Sequence, residues 1–380
     1  MNRPIIFIIN DYFGHGGHVK SFITHILSIL KYTNKPINIL CSNNGYLSNN
    51  IEIKSFKNIN LYFTDMSKLR KLQFSYTLIK IIKNILQDNS ILNIYSYECY
   101  FSALVAKSYF KNISLINSVM GGPNPFPLLD STDLYIAVSK EQKEYVLKNA
   151  YGKNIDKEKV KIIKNRIEIN PSNFEKNKNE SYVLVVSRFD IGMKPSLNNI
   201  SNILKNLPNN IPVKIAGTGE IIDEYKEVFK DYKNIEFLGY RKDLDKLREE
   251  ACVVLGMGRS ILESLLNGKA SILVGYKGIE LLEDIKTVSF ASDYNFAGRK
   301  IKNNIDLNIC VEKITNYHQT RFLLNKEILD FLDKEYSIKY FNEKYEDIIN
   351  NIKFHKTSKI QVFLEYFYIF FSRLKRKFNK

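Results

Sequence analysis

Arg188 and Lys194 lie six residues apart across the glycine-containing stretch VSRFDIGMKP (186–195). An arginine fork grips paired phosphate oxygens and a flexible ammonium adds a second positive charge, so this pair has the chemistry to neutralise a diphosphate. Two solvated loop charges would read the same way. A second cluster, GMGRSILESLLNGKASILVGYKG (256–278), places Gly258, Arg259 and Ser260 at the expected start of a helix, with Glu263 three residues after Ser260. The N–H groups of a helix start, together with Arg259, suit phosphate oxygens, and Glu263 suits the hydroxyls of a ribose. The alternative is a capping box between Ser260 and Glu263, which leaves Arg259 and the glycines unexplained.

Two further turns end in glycine. IAGTGE (215–220) carries Gly217 and Gly219, and NDYFGHGGHVKSF (10–22) carries Gly14, Gly16 and Gly17 before an expected helix. Each lets the backbone approach a ligand closely. The first turn lacks the third glycine of a G-x-G-x-x-G fingerprint, and no Walker lysine follows. His15, His18 and Glu98 are the nearby groups able to move a proton, although a histidine in such a turn more often caps the helix or meets solvent.

These turns are positioned by an alternation of apolar runs and amphipathic stretches. Residues 4–10, 37–41, 91–96, 113–119, 134–139 and 160–165 read as strands, and 18–32 and 74–87 as helices. The polar segment 166–181 reads as a linker. The alternation restarts with strands at 182–188, 213–219, 235–240, 252–258 and 270–276, and a helix at 244–251. The pattern predicts two α/β domains, each a doubly wound and mostly parallel sheet, facing a central cleft and followed by C-terminal helices. The expected boundaries are 1–170, 171–353 and a tail at 354–380.

At 380 residues and 44% hydrophobic composition, the chain is long and apolar enough for two cores. Its four cysteines are scattered, without a C-x-x-C pair, which argues against a zinc knuckle and for reduced thiols in the cytosol. No apolar run reaches the length of a membrane span. The formal charge of +16 suits a phosphorylated ligand, an anionic membrane or nucleic acid, although a Lys-, Ile- and Asn-rich composition also produces such a charge unselected.

The order of motifs (G-G near the first strand, V-S-R…K, A-G-x-G, F-L-G-Y, then G-x-G-R-S-x-L-E-x-x-x-x-G-K-x-x-I) resembles that of retaining glycosyltransferases of family 4 and their relatives, over roughly residues 4–350. AVSKEQKEYV (137–146) and KIIKNRIEI (161–169) are similar to that family's last N-domain strand–helix and linker entry. The resemblance implies the GT-B fold and a nucleotide-diphosphate sugar donor, a UDP-sugar first, held mainly by the C-terminal domain. It implies that Arg188 and Lys194 hold the diphosphate, that Glu263 holds the ribose, and that Tyr240 and Arg241 line the base. Gly16 and Gly17 would reach the donor phosphates from the N-terminal domain. It further implies retention of configuration without a metal, and an acceptor in the N-terminal domain, either a glycan or a lipid-linked species of bacterial cell-surface polysaccharide assembly. Two positions depart from the family pattern. Leu255 stands where the first glutamate of Glu-x7-Glu falls, and Met120 stands where a histidine is usual, leaving Gly121, Gly122 and Asn124 as candidate sugar contacts.

The tail KIQVFLEYFYIFFSRLKRKFNK (359–380) joins an aromatic run, broken by Glu365, to Arg373, Lys375, Arg376, Lys377 and Lys380. It reads as an interfacial helix on an anionic membrane surface, or as a helix whose aromatics pack on the N-terminal domain. The first reading implies a cytoplasmic protein, peripheral on the inner face of the cell membrane. A catalytically inactive glycosyltransferase-like subunit and a basic nucleic-acid-binding protein are the competing assignments. The latter lacks any helix-turn-helix, zinc or RNP pattern.

Overall fold

The computed structural model describes residues 3–12, 17–30, 36–69, 74–120, 129–149, 156–167, 182–320, 322 and 324–378. The chain divides into two compact units. One joins Met1–Arg166 to Ile338–Lys380, and the other is Ile167–Ser337.

The first unit is built on strands β1 (Ile5–Ile8), β2 (Ile37–Ser42), β3 (Ile59–Thr64), β4 (Ile91–Ile94), β5 (Ser114–Val119), β6 (Leu134–Ala137) and β7 (Val160–Ile162). They pair in the order β3-β2-β1-β4-β5-β6-β7, every pair parallel. Side chains alternate between the faces of a strand. Ile6 and Ile8 therefore join one core cluster with Leu78, Ile82 and Leu104, while Ile5, Phe7 and Ile9 join another with Phe22 and Ile26. Helices cover both faces, which is why these strands read as unbroken apolar runs. The edge strand β3, INLYFT, is mostly half-exposed or exposed and lacks such a run, and the sequence pattern did not reveal it.

The second unit holds β8 (Tyr182–Val186), β9 (Val213–Ala216), β10 (Ile235–Gly239), β11 (Ala251–Gly256), β12 (Ala270–Val274) and β13 (Ile279–Leu281). Their order is β10-β9-β8-β11-β12-β13. All pairs are parallel except β12–β13, an antiparallel edge of three residues too short to show a period. Leu255 is fully buried in the core of this unit.

The division differs from the boundaries expected from composition. The second unit closes at Ser337 rather than 353, and 338–380 returns to the first. The helix Ile338–Asn350 places Phe341, Tyr345 and Ile349 in the cluster of Phe7 and Phe22. Its three-to-four spacing announces an apolar face but not which sheet that face covers. Most of the segment expected as a linker, 168–181, lies outside the described residues.

Candidate functional site

In the second unit β8 lies between β9 and β11, so the chain leaves β8 on one side and returns on the other. In open α/β sheets ligands bind at such a switch point, beyond the carboxyl ends of the strands. Arg188 follows β8, Gly217 and Gly219 follow β9, Tyr240 and Arg241 follow β10, and Gly258, Arg259 and Ser260 follow β11. The turns that the sequence nominated in this half thus all follow the carboxyl ends of strands of one sheet.

The loop after β8 is set by a plug. Phe189 is buried and packs edge-on to Tyr225 with 5.5 Å between ring centroids. Its N–H donates to the Thr218 carbonyl at 3.0 Å, and its carbonyl accepts from the Ile221 N–H at 2.9 Å. This lashes the 187–190 loop to the turn after β9. A Cβ at Gly217 would fall 1.8 Å from the Ser187 carbonyl oxygen, and one at Gly219 would fall 2.4 Å from the Phe189 backbone. The glycines therefore permit loop-against-loop packing. With Phe189 turned inward, Arg188 turns outward, 68% exposed, and pairs with Asp190 at 2.9 Å. Lys194 opens the helix Lys194–Lys205, with Pro195 in its first turn, and its ammonium lies 3.1 Å from Glu224. Both pairs are exposed, and such pairs are weak enough to exchange for phosphate oxygens.

At the end of β10, Gly239 takes φ +66°, and Tyr240 after it is 60% exposed. Arg241 grips Asp243 through two hydrogen bonds of 2.8 and 2.6 Å, which hold that carboxyl below its ordinary range.

The turn after β11 corrects the capping expectation. The helix runs Arg259–Leu266 and its N-cap is Gly258, at φ +64°, not Ser260. The Gly258 N–H donates to the Phe296 carbonyl at 2.6 Å. Glu263 makes no capping box. It is 6% exposed, and its two oxygens each hold a guanidinium: Arg259 Nε at 2.7 Å, and Arg248, itself 1% exposed. Arg248 also binds Asp245 at 2.7 Å, on the exposed side of the helix Leu244–Glu250. The first N–H groups of the helix have no partner within it, so Arg259 lies where the backbone favours an anion.

Sequence reasoning missed Arg248 and the loop 294–298. The one signal for Arg248 was an arginine on the inward side of the LDKLREEA helix. Phe296 is fully buried at φ +51°, a conformation no pattern announces.

In the first unit, Gly17 opens the helix Gly17–Leu30, while Gly14, His15 and Gly16 lie outside the described residues. Asp11, just after β1, brackets a loop: its oxygens accept from the Ser42 N–H at 2.9 Å and the Leu47 N–H at 2.6 Å. Burial raises its pKa despite those bonds. Met120 accepts from the Ser21 hydroxyl at 3.6 Å. Gly121, Gly122 and Asn124 lie outside the described residues.

No family model matches the sequence, and no curated protein does either. Solved structures do match. The HepE protein of Anabaena, in complex with UDP-glucose, superimposes with a TM-score of 0.65 at 14% identity, covering 92% of this chain and 100% of its own. A glycosyltransferase from Rickettsia africae gives 0.66 at 16% identity, covering 92% and 98%. TarM of S. aureus, in a complex that includes UDP, gives 0.65 at 11% identity, covering 92% and 100%. The likeness establishes the fold: two doubly wound α/β units of the GT-B class.

Proposed function

We propose that this GT-B chain is a retaining glycosyltransferase. It would move a sugar from a nucleoside-diphosphate donor, a UDP-sugar first, to a glycan or lipid-linked acceptor in bacterial cell-surface polysaccharide assembly, at the cytosolic face of the membrane. The observation that carries the reading is the convergence at the switch point of the second sheet. Arg188, Lys194 and the Gly258–Arg259 helix start supply positive potential for a diphosphate, beside a carboxylate held in place by two guanidiniums. Neighbours of the same fold, solved with UDP or UDP-glucose, support the donor class.

In this mechanism the bond between the anomeric carbon and the β-phosphate oxygen breaks as the acceptor oxygen attacks from the same face. The acceptor proton passes to the departing phosphate. Arg188, Lys194 and the helix start meet the charge that develops there, and the reading needs no metal. Glu263 accepts from the ribose hydroxyls. Arg188→Ala or Lys194→Ala costs about 2–4 kcal/mol of transition-state stabilisation.

The first test is thermal stability with UDP-, GDP-, ADP- and CMP-sugars. A ligand at about a hundred times its Kd adds about 2.7 kcal/mol. A shift with one nucleotide, lost in Arg188→Ala and Glu263→Ala, identifies the donor. No shift with any of them overturns the reading in favour of an inactive glycosyltransferase-like subunit. Turnover insensitive to EDTA, with an anomeric product matching the donor by NMR, tests the remaining steps.

A further inference from the structure

The helix Lys359–Phe378 packs on the first unit through Val362, Glu365, Tyr368 and Ile369. Glu365 is 1% exposed, its two oxygens accepting from the Tyr100 hydroxyl at 3.0 Å and from the Ser131 N–H at 2.8 Å. Ile369 is buried beside it, and Tyr366 meets Phe101 edge-on at 5.2 Å. The outward side carries Ile360, Phe363, Leu364, Phe367, Phe370 and Phe371, all exposed. At about 100° per residue these six fall within about a third of the helix circumference. The helix thus covers the first unit with one side and leaves six large apolar side chains exposed on the other, which covering the unit does not require.

We propose that this outward face, preassembled by the Glu365 anchor, is an interfacial docking surface by which the unit containing residues 1–166 and 338–380 lies on an anionic lipid bilayer. Charge selects the occupant. Arg373, Lys375, Arg376 and Lys377 follow the aromatic run in the same helix. At the other end Lys359 and Lys83 both lie over the ring of the exposed Tyr109, at 5.1 and 3.7 Å. A bilayer with acidic headgroups offers an apolar layer to the rings and negative charge to the cations at both ends. A second copy of this chain would bring the same cations against themselves on a molecule of net charge +16. The helix lies on the surface rather than crossing it, since among the described residues no helix is long and apolar enough to span a membrane. The surface holds whether or not the donor reading does, because binding to lipid needs no turnover.

The test is co-sedimentation of the full chain with phosphatidylcholine vesicles, plain or containing about a third phosphatidylglycerol. Binding is expected only with the acidic lipid. It should fall about tenfold in Phe363→Asp/Phe367→Asp and be lost in about 1 M salt. Both substituted positions are exposed, so an unchanged melting curve verifies the fold of the variant. Equal pelleting with and without acidic lipid overturns the proposal. So does a dimer in solution that the double variant converts to a monomer without any change in lipid binding, which would assign the face to a second copy.

Discussion

Arg248 decides how the candidate site is held. It is the buried partner of Glu263 and draws that carboxylate toward the helix Leu244–Glu250, while Arg259 holds the other oxygen four residues away on the same helix. Removing one member of a buried ion pair leaves an uncompensated charge and costs about 3–5 kcal/mol. Arg248→Met is therefore expected to lower stability by up to about that amount in denaturant titrations, since Glu263 keeps Arg259 as a partner. Adding Glu263→Gln should recover part of the loss, because the carboxylate left half-paired is gone. If the double variant loses the sum of the two single losses, the two residues are not coupled. At this scale Arg259 and Glu263 were legible in the sequence, since a charge beside a glycine turn is conspicuous. Arg248 was not, because a helical arginine is ordinarily a solvated one.

The helix Gly17–Leu30 is joined to the helix Ile338–Asn350 around a buried histidine. His25 is enclosed by the rings of Phe7, Tyr95, Phe341 and Tyr345, with centroids 4.5 to 5.5 Å away. Neither ring nitrogen has a hydrogen-bond partner among the described residues. Burial, with the Arg166 charge adding to it, holds its pKa well below the ordinary 6.5. The unfolded chain takes up a proton as the pH falls through about 6.5, whereas the folded chain does not until well below that. Stability is thus fully present above the unfolded pKa and declines as the pH drops toward the folded one, by about 1.4 kcal/mol per pH unit inside that window. Denaturant titrations from pH 7 to 5 should show this slope in the native chain and a flatter one in His25→Phe. Equal slopes would mean that His25 is not the acid-sensitive group. The apolar stripe of each helix is legible in its own residues, but no local pattern pairs residue 25 with residues 341 and 345.

For the whole molecule, the return of residues 338–380 to the first unit makes a test of the division itself. A chain ending at Ser337 retains the second unit entire but strips Phe341, Tyr345 and Ile349 from the core of the first. Losing large buried side chains costs about 3–5 kcal/mol each. Calorimetry should show the transition of the first unit lowered or lost. The transition of the second should persist and still respond to the nucleotide that stabilises the full chain. Loss of both transitions would mean that the two units do not fold separately.

Local chemistry determined the strands buried on both faces, the restart of the alternation after residue 181, the glycine turns, and the charged residues at 188, 194, 259 and 263. Each of these depends on neighbours a few residues away, and that is information a linear pattern holds. Tertiary structure alone decided which sheet the C-terminal helices cover. It alone turned Glu263 from a capping residue into the centre of a two-arginine clamp, and set Glu365 inward with six apolar side chains outward. The sheet cover and the Glu365 anchor depend on surfaces brought together from opposite ends of the chain, and the Glu263 clamp on how the helix Leu244–Glu250 packs against the one that follows β11; burial of a charge becomes favourable only once a specific partner has been brought to it.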